Sequence, residues 1–301
     1  MTDISADWTF QGFPLIRLEN DWLRVEVLPT FGGKIWTLEH CGLRRQFLWH
    51  HPRHRLRALP LGASYDDHFF GGFDELLPND IPETVNGEPL VDHGELWTTP
   101  LEARIEGESL TLQGQLPITP LAYRKTLRLE GNALRLDTQV TNIGRRALDV
   151  LWKLHPALNI SPGAEILVPA RTARVPDPAF SRVPHLTEFK WPEMESLQRV
   201  PPLDGSNDFL YLLDLSEGVC ALAHRAEDWQ FKLTFPTDIF ASVWMFAAFG
   251  GWRNLEFLIL EPCATPQLSL VKSIEEKKCL HLEPGASVTA SISVETGPYQ
   301  L

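Results

Sequence analysis

The feature that most constrains the fold of this chain is a period-two alternation of apolar and polar residues in short segments. Between residues 101 and 160 these segments are bounded by Gly, Pro or Asn, and they read LTLQGQL, AYRKTLRLE, ALRLDTQVTN and ALDVLWKLH. The alternation returns between residues 209 and 296 in FLYLLDL, GVCALAH, WQFKLTF, NLEFLILEP and SVTASISVET. Alternation bounded by turn residues is typical of antiparallel strands, and the link Glu130-Gly131-Asn132-Ala133 indicates a hairpin turn.

Helical periodicity is scarce in this sequence. Only EMESLQRV and SIEEKKCL offer short helical stretches, and no repeat of about 33 to 45 residues indicates a propeller or solenoid. The 301 residues include 24 prolines, which suits many short strands joined by turns, and no Gly/Ser linker divides them. We therefore predict an all-β fold of antiparallel sheets packed face to face, with few short helices, in a single domain over residues 1–301.

The distribution of charged and apolar residues bears on whether the protein binds nucleic acid or membranes and on its cellular location. The net charge is −12 and no long basic run is present, so the Lys and Arg clustering that a nucleic acid backbone requires is missing. The longest apolar stretch, IFASVWMFAAFGGW, is too short to span a bilayer, and the amino terminus lacks the pattern of an export signal. Four scattered cysteines fit reduced thiols. We expect a cytoplasmic protein that binds neither nucleic acid nor membranes.

A histidine interrupts the alternation of one predicted strand. In LWKLHPALNI, residues 151–160, His155 stands among apolar residues and is followed by Pro156. Because proline cannot donate a ladder hydrogen bond, it is typical of a strand end or a sheet edge. We therefore expect His155 to lie where a strand meets an opening. A core histidine whose ring nitrogens are satisfied by neighbours would give the same pattern.

A carboxylate stands near the end of another apolar strand. Glu261 follows LEFLIL and precedes Pro262, which favours an extended backbone at residue 261. After so many apolar residues a carboxylate is paired or lies at an opening, unless the strand ends in solvent. A histidine with a pKa near neutrality and a carboxylate are suited to moving protons on a polyol that stacks against tryptophans. His155 and Glu261 therefore form the candidate catalytic pair.

Residues 60–98 form a long stretch without regular periodicity. The stretch is dense in Gly, Pro and polar residues but has apolar anchors, and long ordered loops in compact domains are usually functional. One polar group, which is suited to binding sugar hydroxyls or forms a solvated acidic loop, consists of Asp66, Asp67, His68, Asp74 and Glu75. A second group, which is a candidate for the site or forms a polar turn, consists of Asp92, His93 and Glu95 beside Trp97. Elsewhere HHPRH, residues 50–54, matches no zinc-ligand spacing, so we expect no metal site.

The order of motifs along the chain resembles the aldose 1-epimerase (galactose mutarotase) superfamily. LRVEVLPTFGGKIWTLEH is similar to the first strands of the family, and DHGELW is similar to its His-Gly segment followed by tryptophan. TNIGRRALDVLWKLHPALNI resembles the segment that leads to the catalytic histidine, and LEFLILEPCATPQ resembles the strand with the catalytic glutamate. CLHLEPGASVTASISVETG resembles the closing hairpin, so the likeness runs through most of the chain.

This resemblance implies a galactose mutarotase-like β supersandwich that interconverts the α and β anomers of an aldose without a cofactor. By matching position, Glu261 would take the proton from the anomeric hydroxyl and His155 would protonate the ring oxygen. His93 would hold the ring oxygen or an adjacent hydroxyl. The implied partner is a small-molecule sugar.

One motif of the family has no counterpart in this chain. The Asn-Arg-Ile element, whose arginine contacts the sugar, is replaced by FGGFDELLPND, which offers Asp74, Glu75 and Asn79 as substrate-binding side chains. Trp97 follows the His-Gly segment as a further candidate. Trp244 falls where the family has an aromatic residue near the sugar, although a core position would also suit it. The identity of the sugar is left open.

Three other functions stay open on the sequence alone. A non-catalytic sugar-binding protein of the same fold would lack turnover, which the missing arginine favours. A polysaccharide lyase or hydrolase would need a long open cleft and an export signal. A hexose 6-phosphate epimerase would need arginines at the pocket, and Arg44, Arg45, Arg53, Arg55 and Arg57 are candidates unless they are solvated charges. The sequence does not determine the oligomeric state.

Overall fold

The regular structure of this protein is almost entirely β-strand in a computed structural model that describes residues 1–300. The strands up to residue 142 are β1 (Asp3–Phe10), β2 (Phe13–Glu19), β3 (Leu23–Leu28), β4 (Lys34–His40), β5 (Arg45–Gln46), β6 (Phe73–Leu76), β7 (Glu83–Val85), β8 (Glu88–Leu90), β9 (Glu102–Glu106), β10 (Ser109–Gln115), β11 (Leu121–Glu130) and β12 (Ala133–Asn142). The later strands are β13 (Leu148–Val150), β14 (Lys153–Leu158), β15 (Glu165–Leu167), β16 (Thr172–Arg174), β17 (Glu188–Lys190), β18 (Ser206–Leu213), β19 (Val219–His224), β20 (Trp229–Thr234), β21 (Ser242–Phe249), β22 (Glu256–Cys263), β23 (Leu280–Leu282) and β24 (Ser287–Gly297).

Helices are few and short in the described residues. The α-helix α1 spans Leu270–Glu275, and single 3₁₀ turns lie at Asp66–His68, Leu96–Thr98, Pro178–Phe180 and Glu195–Gln198. The predicted segment EMESLQRV contains the last of these turns. The predicted segment SIEEKKCL, residues 273–280, overlaps α1 only over residues 273–275, so most of it is not helical. Within residues 1–300, no helix has both the length and the apolar character needed to cross a membrane.

The alternation of apolar and polar residues along the strands reflects alternating buried and more accessible positions, as predicted. In β11, Leu121, Tyr123, Leu127 and Leu129 are buried, and the residues between these inward positions are mostly more accessible. The predicted hairpin turn joins β11 to β12, which pair in antiparallel register over their whole length. Each alternating segment therefore presents one face to the core and one face away from it.

Two antiparallel sheets carry the fold. The larger sheet has the order β1-β2-β3-β4-β6-β14-β22-β21-β18-β16-β17, with β5 paired to β4. The smaller sheet has the order β15-β19-β20-β24-β12-β11-β10-β9. Two short ribbons, β13-β23 and β7-β8, lie outside these sheets. The predicted all-β architecture of antiparallel sheets is confirmed.

The main core lies between the two sheets. Leu154 and Leu260 of the larger sheet belong to the same buried cluster as Leu127, Leu136 and Ile292 of the smaller sheet. Because side chains alternate along a strand, the residues next to these core positions point to the outer face of the larger sheet. His155 and Glu261 are among those outward residues.

Loops cover this outer face. Trp49, Tyr65 and Trp97, from the chain between β5 and β9, form a second buried cluster with Phe257 and Ile259 of β22. The face is therefore enclosed on one side by the long loop-rich segment that the sequence singled out.

The expectation that His155 lies at a strand end is wrong. β14 lies between β6 and β22 in the middle of the larger sheet, and His155 and Pro156 are interior positions of that strand. Proline is tolerated there because the ladder between β14 and β22 skips residues 154–156. The opening beside His155 lies above the sheet instead of beyond its strand.

Candidate functional site

Adjacent strands bring functional side chains into one row across the larger sheet. The registers of β6, β14, β22 and β21 align Asp74, His155, Glu261 and Trp244 on the outer face. Directly opposed residues in antiparallel strands have Cβ atoms about 4.5 to 5.5 Å apart, so these side chains are neighbours. His155 Nε2 lies 3.9 Å from Glu261 Oε2. The structure therefore brings the two candidate catalytic residues together.

A cavity of about 430 Å³ lies over this row. One part of its lining is polar, and it consists of Asp80, His93, Lys153, His155 and Glu261. The rest is mostly apolar and aromatic, including Trp244. A cavity of this size with a few converging polar groups has the character of a small-molecule site.

Lys153 is a buried charge that sequence reasoning missed. It lies two residues before His155 on β14 and therefore on the same face. Its ammonium group contacts Asp80 Oδ2, lies 2.8 Å from Glu261 Oε2, and stands 4.6 Å from the centre of the Trp244 ring. Burial lowers the pKa of Lys153, but Asp80 and Glu261 raise it more, so the ammonium stays charged. The available signal was a lysine at an outward position of an apolar strand.

Glu261 has the properties of a proton acceptor. The side chain is 2% exposed, and burial raises its pKa although the Lys153 charge opposes the shift. Its Oε2 is held in an ion pair by Lys153 Nζ at 2.8 Å, and the side chain lines the cavity. A carboxylate with a raised pKa that faces the cavity is suited to general base catalysis near neutral pH.

Three buried side chains connect to the far side of the His155 ring. Lys34 Nζ lies 2.6 Å from Asp74 Oδ2, and the Tyr65 hydroxyl donates to the same oxygen at 2.8 Å. The Tyr65 hydroxyl also lies 3.2 Å from His155 Nδ1. Three consecutive hydrogen-bond contacts therefore link the side chains in the order Lys34, Asp74, Tyr65, His155.

This chain of hydrogen bonds determines which ring nitrogen of His155 holds the proton. The single hydroxyl proton of Tyr65 goes to the Asp74 carboxylate, so the hydroxyl oxygen accepts from His155 Nδ1–H. Burial, assisted by the Lys153 charge, lowers the pKa of His155 well below its usual value, so the ring is neutral. Its Nε2 is therefore unprotonated and faces Glu261 as a hydrogen-bond acceptor.

His93 has the opposite pKa shift. Its Nδ1 lies 2.8 Å from Asp92 Oδ1, and its ring stacks on Tyr65 with centroids 4.3 Å apart. Burial lowers the pKa of His93, but Asp80 and Asp92 raise it more, and the net shift is upward. The ring is therefore the better proton carrier of the two histidines. Its Nε2 has no hydrogen-bond partner among residues 1–300, and the side chain lines the cavity.

The remaining predicted substrate-binding residues occupy different positions. Trp244 lines the cavity, is fully buried, and donates from Nε1 to the Thr265 carbonyl at 3.0 Å. Asp74 lies behind the cavity wall, where it holds Lys34 and Tyr65. The structure therefore gives Trp244 a place at the cavity and gives Asp74 contact with the site through Tyr65.

Glu75, Asn79 and Trp97 lie outside the cavity lining. Glu75 points from β6 into the core between the sheets, where Trp152 Nε1 donates to it and Lys125 Nζ lies 3.2 Å away. Asn79 donates to backbone carbonyls of its own loop. Trp97 packs edge-on against Tyr65. These three side chains support the loop and sheet that carry the site.

The sequence raised the questions of a metal site and of a phosphate site. No group of three or more His, Cys, Asp or Glu side chains with the geometry of a metal site occurs in residues 1–300. Among the described residues that line the cavity, none is an arginine. The five arginines that were candidates for binding a phosphate thus lie outside this lining.

The two antiparallel sheets form a galactose mutarotase-like fold, and the comparison with solved structures supports this assignment. A Klebsiella pneumoniae protein provisionally described as an aldose 1-epimerase has a TM-score of 0.76 and 16% identity, over 98% of this chain and 83% of its own. A galactose mutarotase-like protein from Clostridium acetobutylicum has a TM-score of 0.72 and 11% identity, over 99% of both chains. A galactose mutarotase-like protein from Lactobacillus casei has a TM-score of 0.68 and 16% identity, over 94% of this chain and 99% of its own.

Comparison of the amino-acid sequence with protein families and curated proteins found no match. At identities of 11% to 16% the structural neighbours show the shared fold. The galactose mutarotase-like fold that the motifs indicated is therefore confirmed.

Proposed function

We propose that this protein interconverts the α and β anomers of an uncharged aldose by proton transfer at the cavity. The observation that supports this most strongly is the convergence of Glu261, His155 and His93 at one end of the cavity. Anomer interconversion needs one group that accepts a proton and one that donates it, both within hydrogen-bond reach of the same sugar ring. The neighbours described as mutarotases and aldose 1-epimerases share the fold and support the same reaction class.

Ring opening uses one proton acceptor and one proton donor. Glu261 takes the proton of the anomeric hydroxyl, and the electrons of that O–H bond form the carbonyl at the first carbon. The bond from this carbon to the ring oxygen breaks, and the ring oxygen receives its electron pair together with a proton from His93 Nε2. The product is the open-chain aldehyde, with Glu261 protonated and His93 neutral.

Reclosure repeats these transfers in reverse. After rotation about the first carbon–carbon bond, the carbonyl presents its other face to the hydroxyl that closes the ring. His93 takes back the hydroxyl proton, Glu261 returns its proton to the new anomeric hydroxyl, and both groups regain their starting states. The enzyme is unchanged, and no electrons enter or leave the sugar.

The role of His155 in this proposal differs from the role implied by family resemblance. The resemblance assigns the ring-oxygen proton to His155, whereas the hydrogen bonds from Tyr65 leave Nε2 of His155 without a proton. We therefore assign the donor role to His93, and His155 Nε2 accepts a hydrogen bond from a sugar hydroxyl beside Glu261. This contact orients the anomeric hydroxyl toward the carboxylate.

The polar lining favours an uncharged sugar over a sugar phosphate. Lys153 is balanced by Asp80 and Glu261, and His93 is paired with Asp92. A phosphate placed there would be repelled by these carboxylates without an unpaired cation to hold it.

Polarimetry tests the proposed function directly. Pure α anomers of glucose, galactose and other aldoses are dissolved with and without the protein, and the change of optical rotation is compared with the spontaneous rate. We expect catalytic acceleration of at least one sugar, with general acid and base groups each contributing about 10² to 10⁴-fold. A protein that binds sugars by saturation-transfer NMR but accelerates none of them would be a sugar-binding protein, and the proposal would be wrong.

A further inference from the structure

The cavity continues along β22 beyond the proton-transfer groups. Glu261, Ile259 and Phe257 are alternate residues of this strand, and all three line the cavity. At about 3.4 Å per residue, the lining from Glu261 to Phe257 extends about 14 Å. A pyranose ring with its hydroxyls spans on the order of 7 Å, given carbon–carbon bonds of about 1.5 Å. One sugar ring at Glu261 therefore leaves the Phe257 end of the cavity unfilled.

Aromatic rings surround this second end. Phe246 is the cross-strand neighbour of Ile259, and Trp252 lies in the turn between β21 and β22. The Trp252 ring lies 5.5 Å from the Phe246 ring and 5.8 Å from the Phe257 ring, measured between centroids. The Phe180 and Phe246 rings lie 6.3 Å apart, measured between centroids. Phe246, Trp252 and Phe180 are half-buried and line the cavity, so part of each ring can contact a ligand, whereas Phe257 is fully buried.

Two carboxylates line the same cavity as these rings, and this combination indicates the chemistry of the ligand. Asp177 lies three residues before Phe180 and lines the cavity. Asp66 also lines it, and Arg253, the residue after Trp252, donates to the Asp66 backbone carbonyl at 2.6 Å. Flat aromatic faces bind the C–H face of a sugar, and carboxylates accept hydrogen bonds from its hydroxyls. This end of the cavity is therefore suited to an uncharged carbohydrate.

We propose that Phe246 and Trp252, packed against the buried Phe257, form a second sugar subsite and that the preferred substrate is a reducing disaccharide. The reducing ring lies beside Glu261, where anomer interconversion takes place, and the second ring stacks against the aromatic residues. The assignment of the reducing ring rests on the proposed function. The subsite for the second ring rests on the cavity alone.

The first experiment compares turnover of disaccharides and monosaccharides. Catalysed mutarotation is measured for glucose and galactose and for cellobiose, maltose and lactose. We expect kcat/KM for at least one disaccharide to exceed that of its reducing-end monosaccharide by about tenfold or more, because a second stacked ring adds binding energy. Trp252→Ala lowers this disaccharide-to-monosaccharide ratio about tenfold. The matched control is Trp22→Ala, at an exposed tryptophan outside the cavity, which leaves both values unchanged.

The second experiment measures binding without turnover. The methyl glycosides of the same sugars cannot open their rings, so their affinities for wild type, Trp252→Ala and Trp22→Ala report the subsite alone. Tighter binding of a methyl disaccharide that depends on Trp252 supports the subsite even where no sugar is turned over, a result that would refute only the proposed function. Accelerated monosaccharides together with equal disaccharide affinity in all three proteins would overturn the subsite and leave the proposed function standing.

Discussion

The Tyr65 hydroxyl sets the tautomer of His155, because its proton is donated to Asp74 and its oxygen is left to accept from Nδ1, 3.2 Å away. Tyr65→Phe removes this acceptor, so we expect a mixture of the two neutral tautomers and a fall in kcat/KM on the order of tenfold, the effect of one hydrogen bond. Nitrogen-15 NMR of labelled histidine detects the tautomer, which a merely structural effect would not change. Tyr299→Phe, at a half-buried tyrosine outside the cavity lining that contacts Arg225, is the matched control. An unchanged tautomer in Tyr65→Phe would contradict the assignment.

The pH dependence of activity follows from the opposite states of Glu261 and His93. Glu261 acts as a carboxylate, so kcat/KM falls as the pH drops through its pKa, which burial raises. His93 acts in its protonated form, so kcat/KM also falls as the pH rises through its pKa, which Asp80 and Asp92 raise against burial. We expect the alkaline limb above pH 6.5, the ordinary histidine value. Asp92→Asn removes one carboxylate and shifts the alkaline limb to lower pH, and an unshifted limb would assign it to another group.

Single residues of the site differed in how far the sequence predicted them. His155 and Glu261 were visible because each is a polar residue in an apolar strand next to proline. Lys153 is also a polar residue in an apolar strand, without a neighbouring proline, but the sequence did not show that Asp80 lies across from it and balances its charge. The partners of a buried charge come from distant parts of the chain, so a local pattern cannot identify them.

The loop between β6 and β9 depends on a close backbone approach at Gly94. This residue has φ +71°, and a Cβ atom there would lie 2.2 Å from the Leu77 carbonyl oxygen. Gly87, in the turn between β7 and β8, has φ +86° with no atom within 4 Å of a Cβ. Alanine at either position costs about 1 to 2 kcal/mol for the left-handed backbone.

We therefore expect Gly94→Ala to lose more stability and activity than Gly87→Ala. The clash with Leu77 displaces the neighbouring His93, so kcat/KM falls in Gly94→Ala and stays near wild type in Gly87→Ala. Urea unfolding and polarimetry on both variants measure the two effects. Equal losses in the two variants would mean that backbone strain alone decides the outcome.

The structural elements were predicted well where hydrophobic periodicity is strong. β11, β12, β20 and β24 match alternating segments of the sequence closely. The interior position of Pro156 could not be predicted, because the skipped ladder that tolerates it depends on the partner strand β22. The backbone path of residues 60–98 could not be predicted either, because it depends on close backbone approaches such as that of Gly94 to Leu77.

Strand order in the whole molecule bears on domain organisation. The larger sheet joins β1 to β6 with strands from β14 onward, and the smaller sheet joins β9 to β12 with β19, β20 and β24. Neither half of the chain completes a sheet alone, so we propose that the whole chain is one domain. Calorimetry and tryptophan fluorescence should then report one coincident unfolding transition. Two separate transitions would contradict this proposal.

The fold of the whole molecule could be predicted because alternation and the order of motifs agree. The cavity could not be predicted in the same way. Its aromatic end combines Phe180 with Phe246, Trp252 and Phe257 of the hairpin β21–β22, two separate parts of the chain, and each residue alone is consistent with a core position.

Glu261→Gln tests the central claim most directly. Glutamine keeps the shape of the side chain and a hydrogen-bonding oxygen but cannot accept a proton at neutral pH. We expect kcat for anomer interconversion, followed by polarimetry, to fall about 10² to 10⁴-fold while sugar affinity changes little. Glu256→Gln, at an exposed position of the same strand, should keep wild-type kcat. Full acceleration by Glu261→Gln would contradict the account, because the proton would then go to another group.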